Sequence, residues 1–255
     1  MIVIKNKDEI IKMREACAVA AEVLQRMVEY TRAGITTYDL DCFGRDVMME
    51  FGARSACYNY PGAYSPYPAY SCISINDEVV HGIPSKNVVL KDGDVVSIDV
   101  AIFYHGFVGD NTRTVIIGDA PDHVKKFVEV TNDALMAGID KALPGNRIGD
   151  ISHAIEKVAN CNNYGILREY VGHGVGRDMH EDPQVPNYGR PKTGPVLRPG
   201  MTLALEPMFT LGNEKVFVDK DGWTVKTVDK KIAAHFEHTI LITDSLPEIL
   251  TLVKK

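Results

Sequence analysis

The sequence predicts an α+β protein built from two related halves around one core. Three observations predict it. Two pairs of segments with helical spacing each precede a run of alternating strands. A strand motif recurs without gaps, LKDGDVVSID at residues 90–99 on LRPGMTLALE at residues 197–206, and acids fall at matching places in both copies. No linker-like composition interrupts the 255 residues, so the halves, roughly 8–119 and 120–244, are expected to form one domain spanning 1–255.

The elements follow in order. From about residue 8 to 31, Ile10, Cys17, Leu24 and Val28 recur at helical spacing, Asp8 stands ready to cap the start and Gly34 follows the end. A second helix, about 37 to 51, carries Leu40, Phe43 and Val47 on one face and stops at Gly52. A Gly/Pro/Tyr-rich loop, YNYPGAYSPYPAY, then leads to the short strand SCISIN and a hairpin. The same order returns as a helix from about 122 to 142, the break Pro144-Gly145, a helix near 148–160, and further strands. Gly34 and Asp39 match Gly145 and Asp150, each pair introducing a second helix.

The hairpin, VVSIDVAIFYHGFVGD at residues 95–110, turns at His105-Gly106. Asp99 sits in its first arm between Ile98 and Val100, and Asp110 sits in the second. Around that turn the two acids are expected nearly opposite each other on one face. A buried carboxylate costs several kcal/mol unless a positive group compensates it. The repeat lays Asp99 on Glu206, Asp110 on Glu237 and Thr112 on Thr239, and HGI at His81 resembles HGV at His173. Four carboxylates converging at the centre cannot all stay ionised without cations. An imidazole from His173 among them suits manganese, iron(II), cobalt or zinc, and five such residues suffice for two divalent ions sharing bridging carboxylates. Two ions roughly 3.5–4 Å apart activate water and polarise a carbonyl, which is hydrolytic chemistry.

Composition bounds the rest. With 45% hydrophobic and 24% charged residues the chain is ordinary globular material. A net charge of −6 argues against nucleic acid or an anionic membrane as partner. No apolar run approaches the ~20 residues that span a bilayer, and MIVIKNKDEIIKMRE has no signal-peptide pattern. The five cysteines are scattered, without a CxxC pair, as in a reduced compartment; the expected location is cytoplasmic.

NDEVVHGIP, DVVSIDV with GDNTRTV, GHGVGRDMHEDPQVP, ALEPM and HFEHTILIT resemble the successive signature blocks of the type I methionine aminopeptidases, across essentially the whole chain. The resemblance implies the pita-bread fold, in which pseudo-two-fold related halves share a central curved antiparallel sheet with flanking helices. It implies removal of the initiator methionine from nascent proteins whose second residue is small. The metal ligands it implies are Asp99, Asp110, His173, Glu206 and Glu237, with Glu206 as general base; the residues alone do not separate Glu206 from Glu237. It further implies that His81 handles the substrate amine or scissile nitrogen and that His180 contacts the carbonyl oxygen. Trp223, Tyr60 and Cys72 match walls of the methionine pocket, and Met179 stands at a position often aromatic in relatives. The other histidines, His105, His123, His153, His235 and His238, are read as structural or solvated.

In one respect the chain departs from the pattern. The loop between Cys57 and Cys72 is several residues longer than usual, with Pro61 where a histidine or charged residue is common. Otherwise it resembles the compact bacterial form, without the zinc-binding extension or type II insertion of some relatives. The expected partner is a peptide or nascent-chain N-terminus met by a monomer, with the ribosome a plausible co-translational partner that no docking surface marks. Two alternatives remain: an Xaa-Pro aminopeptidase or prolidase on the same fold, and a silent peptide- or ribosome-binding relative. The latter tends to lose the metal carboxylates, whereas all are present here.

Overall fold

Asn6 opens the first helix, two residues before the expected cap. Its side chain accepts from the amides of Asp8 and Glu9, both at 3.0 Å, and Glu9 returns a bond to the Asn6 amide. This capping box satisfies donors that Asp8, already inside the first turn, could not reach. The computed structural model describes residues 1–253. Four helices result: α1 (Lys7–Tyr30), α2 (Thr37–Glu50), α3 (Asp122–Ile139) and α4 (Ile148–Asn162). α3 ends short of the expected residue 142: Lys141 and Ala142 donate to the carbonyls of Gly138 and Ile139, three residues back, so the chain leaves the α-helix in a tightened last turn.

The strands are β1 (Arg54–Ser55), β2 (Cys72–Ile75), β3 (Glu78–Val80), β4 (Val95–Tyr104), β5 (Phe107–Ile116), β6 (Gly165–Ile166), β7 (Gly172–Gly174) and β8 (Glu181–Val185). They continue as β9 (Thr202–Leu205), β10 (Met208–Thr210), β11 (Val216–Val218), β12 (Val225–Thr227), β13 (Ala233–His235), β14 (Glu237–Leu241) and β15 (Glu248–Ile249). The main sheet runs β1-β4-β5-β14-β9-β7-β8, with β2 also on β4 and β15 on β14. All its pairings are antiparallel.

Hairpin β4–β5 turns at His105-Gly106 as expected, both residues having positive φ (49° and 82°), as a type I′ turn requires. The register is shifted from the expectation. Asp99 faces Thr112, and Asp110 faces Ala101, so the acids are diagonal rather than opposite. An offset of two preserves the face, so both still point the same way.

One face of the sheet is apolar and covered by helices. Ile98, Val100 and Ile102 of β4 pack with Leu24 and Met27 of α1 and Leu40 of α2. Leu203, Leu205 and Ile240 pack with Leu135 of α3 and Ile151 and Ile155 of α4. The acids therefore lie on the opposite face. There two small sheets, β13-β10-β6 and β11-β12-β3, supply side walls. Among the described residues no helix is long and apolar enough to cross a membrane.

Candidate metal centre

Five neighbouring strands each deliver one of the expected ligands. Asp99 comes from β4, Asp110 from β5, Glu237 from the start of β14, Glu206 from just beyond β9, and His173 from β7. The alternation that buries Ile98 and Val100 against the helices turns Asp99 the other way. Asp110, His173 and Glu237 bring ligand atoms within 4.8 Å of one another. His173 Nε2 lies 3.4 Å from Glu206 Oε1 and 3.9 Å from Asp110 Oδ2. The other ring nitrogen, Nδ1, is 2.9 Å from the Gly174 carbonyl, so it donates there and leaves Nε2 as a free lone pair toward the acids.

The electrostatics are those of a cluster lacking its counter-charge. Burial pushes Asp99 up to about 6. Asp110, Glu206 and Glu237 are driven well above the usual carboxylate range, first by burial and then by their mutual repulsion. His173 is held down to about 3, mainly by burial, and so is neutral. Thr112 donates to Glu237 Oε2 at 2.9 Å, yet Glu237 Oε1 has no hydrogen-bond partner among the described residues. A buried carboxylate oxygen without a donor, among three other acids and an imidazole lone pair, is what a hard divalent cation satisfies. The donor set fits such an ion.

Beside the cluster lies a pocket of mixed character. His81 follows β3 with φ 59°, a backbone conformation uncommon for a residue with a side chain. Gly82 must be glycine, since a Cβ there would lie 2.3 Å from the Ile73 carbonyl oxygen. This tight crossing holds His81 edge-on to Tyr170 and Trp223, with ring centroids 5.6 and 6.1 Å apart. His180 stands at the mouth, edge-on to His173 at 4.4 Å, with Nδ1 2.6 Å from the Tyr60 hydroxyl. Cys72, paired with Asp99 across β2 and β4, and Met179 line the same pocket.

A model of metallopeptidase family M24 matches residues 11–244. The chain belongs to metallopeptidase family M24. It is 45% identical to a methionine aminopeptidase of Clostridium acetobutylicum over 252 residues, 99% of each chain. Its fold superposes on the crystal structure of methionine aminopeptidase from Thermotoga maritima with a TM-score of 0.95, at 44% identity, covering 99% of this chain and 100% of that one. A prolidase from Pyrococcus furiosus shares the fold at a TM-score of 0.76 and 23% identity, with 99% of this chain covering 66% of it. The pita-bread architecture implied by the sequence is thus the fold of this M24 chain.

Three features of the M24 site escaped the sequence reading. Tyr67 is a pocket wall, its ring 5.2 Å from Trp223 and its hydroxyl bonded to the carbonyls of Ser71 and Gly82. The long loop, exposed over residues 61–66, is tied down on the pocket side. Tyr60 and Tyr67 pair by a backbone bond of 2.9 Å, and Trp223 Nε1 donates to the Ser65 carbonyl at 3.1 Å. The third is His235, read as structural or solvated: it is buried and not solvated, it lines the pocket, and its Nε2 has no hydrogen-bond partner among the described residues. Its spacing of two from Glu237 was the available signal. Of the rest, His105 is solvated and bonded to Glu15, and His238 lies on the helix-covered face against Thr251.

Proposed function

We propose that this chain is a divalent-metal-dependent methionine aminopeptidase, hydrolysing the initiator methionine from proteins whose second residue is small. The observation that carries the reading is the convergence of Asp110, His173 and Glu237 beside a pocket walled by Tyr60, Tyr67 and Trp223. Asp99, Asp110, His173, Glu206 and Glu237 would hold two ions, with manganese, iron(II), cobalt and zinc the metals that this donor set suits. When bound, the ions supply Lewis acidity toward water and the scissile carbonyl.

The chain's own groups do the rest. Glu206 takes the proton of the attacking water as general base. Tyr60 keeps its phenol proton, burial having raised its pKa, and donates to His180 Nδ1. The neutral His180 ring then carries its own proton on Nε2, where it stabilises charge developing on the carbonyl oxygen. His81, held neutral by burial at about 4, accepts from the substrate amine or serves the departing nitrogen. The methionine thioether packs on Trp223 and Tyr67 beside Cys72, contacts favourable to sulfur.

The same reading takes the chain as one domain of two related halves, supported by the recurring order of helix pair and strands. It takes the protein as a cytoplasmic monomer acting on peptide or nascent-chain N-termini, with neither nucleic acid nor membrane as partner, in keeping with a net charge of −6. The test is release of methionine from a Met-Ala peptide by chelated protein before and after adding each metal, with Met-Lys and Xaa-Pro peptides alongside. Metal-restored cleavage of Met-Ala alone is the expected result. Cleavage of Xaa-Pro alone would move the chain to the prolidase side of M24; no cleavage by folded protein would make it a binding protein.

A further inference from the structure

Glu206 lies between two imidazoles. Its Oε1 is 3.4 Å from His173 Nε2, and its Oε2 is 3.7 Å from His235 Nε2. His235 is fixed on β13 through its backbone. Its amide donates to Thr114 Oγ1 at 2.9 Å, and that hydroxyl donates back to its carbonyl at 2.7 Å. Ser97 Oγ, 2.8 Å from Thr114 Oγ1, completes the clamp. The ring is thus held at the pocket wall, 3% exposed, while Nε2 points at a carboxylate oxygen and bonds to nothing else among the described residues.

Most buried polar groups are hydrogen-bonded, so an unpartnered imidazole nitrogen 3.7 Å from a carboxylate oxygen calls for a reason. A neutral imidazole carries one N–H, and an ionised carboxylate oxygen only accepts. With Glu206 ionised against a bound cation, the complementary tautomer therefore has its proton on Nε2. A carboxylate that ligates through one oxygen is oriented by whatever holds the other. We propose that His235 is a positioning residue: its Nε2–H donates to Glu206 Oε2 and turns Oε1 toward His173 and the metal pocket. A small rotation of the Glu206 carboxylate closes the gap. The proposal rests on the metal reading of the site and adds a residue to it.

The test compares the whole wild-type chain with His235→Leu and His235→Gln. Cobalt affinity is measured by chelator competition, and kcat and KM on a Met-Ala peptide. His235→Leu is expected to weaken cobalt binding about 10–100-fold and to lower kcat more than KM. His235→Gln, which keeps an N–H donor, is expected to restore most of both. Cobalt affinity unchanged in the Leu variant would overturn the proposal. So would a Gln variant as weak as Leu, which would make the imidazole itself a ligand or a spacer. Nitrogen-15 histidine spectra of the zinc-loaded wild type read the tautomer without any variant, so a Leu chain that misfolds leaves the question decided; a proton on Nδ1 in place of Nε2 overturns it. A wild-type chain that binds no cobalt would sink the metal reading instead, and this proposal with it.

Discussion

Asp99 shows how much a single residue reveals. A carboxylate between Ile98 and Val100, on a strand whose other face packs on helices, has no apolar reason to be there. Burial holds its pKa near 6, and Asp110, Glu206 and Glu237 feel its charge. Asp99→Asn removes one compensating charge, so the fold should persist while metal stoichiometry, read by elemental analysis, falls below wild type. Full occupancy with normal turnover would remove Asp99 from the ligand set. His81→Ala should act differently, lowering kcat about 10²–10⁴-fold with metal content unchanged, as expected for a group that handles a proton. Metal lost together with activity would make His81 a ligand. The four acids were legible because charge in an apolar strand is anomalous, and His173 entered through the likeness of its HGV motif to HGI at His81. His235 was not, since a histidine ending the strand Ala233–His235 looks like core until its unpartnered nitrogen is seen.

At the scale of elements, local rules carried most of the helices and the hairpin turn, while loop closure did not follow from them. The two-residue turn at His105-Gly106 itself sets Asp99 opposite Thr112, so the expected near-opposition of Asp99 and Asp110 missed the register by two, a shift that keeps the same face. The long loop is set by distant partners. Gly62 lies so close to Trp223 that a Cβ would approach Cζ2 to 2.2 Å, and the Ser65 carbonyl oxygen to 2.5 Å. No periodicity in YNYPGAYSPYPAY announces a tryptophan more than a hundred residues on. Gly62→Ala should therefore displace the loop from Trp223 and spoil the pocket wall without touching the acids. Steady-state kinetics should show KM for methionyl peptides raised severalfold, at unchanged metal content and little change in melting temperature. An unaltered KM would mean that the loop is not part of the substrate wall.

Across the whole molecule, two helix-backed halves of one sheet meet where the acids crowd, so the stability of the chain and its metal content are linked. In the metal-free protein burial lifts Asp99 to about 6, and burial with mutual repulsion drives Asp110, Glu206 and Glu237 well above the usual carboxylate range. Because these folded-state values exceed the unfolded ones near ~4, their contribution to stability is whole below that range and is lost as pH rises through the folded values. His81, His173 and His235, held at about 4, about 3 and about 3, work the other way. Their contribution is whole above the ordinary ~6.5 and is lost as pH falls below it. Above the ordinary ~6.5 the histidine contribution approaches its full value, so a carboxylate loss on that side goes uncompensated. The chelated protein should therefore lose carboxylate stabilisation as pH rises through the folded-state values. Saturating manganese keeps the carboxylates ionised and compensated, so the loaded protein should hold its melting temperature. Each unit of carboxylate shift traversed is worth about 1.4 kcal/mol, and 1 kcal/mol moves a chain of this size by roughly 2–4 °C. Scanning calorimetry of both forms should show their gap wider at pH 8 than at pH 5. A constant gap would mean that a neighbouring cation already neutralises the acids, and the central burial of four uncompensated carboxylates would no longer be the reason this fold needs metal.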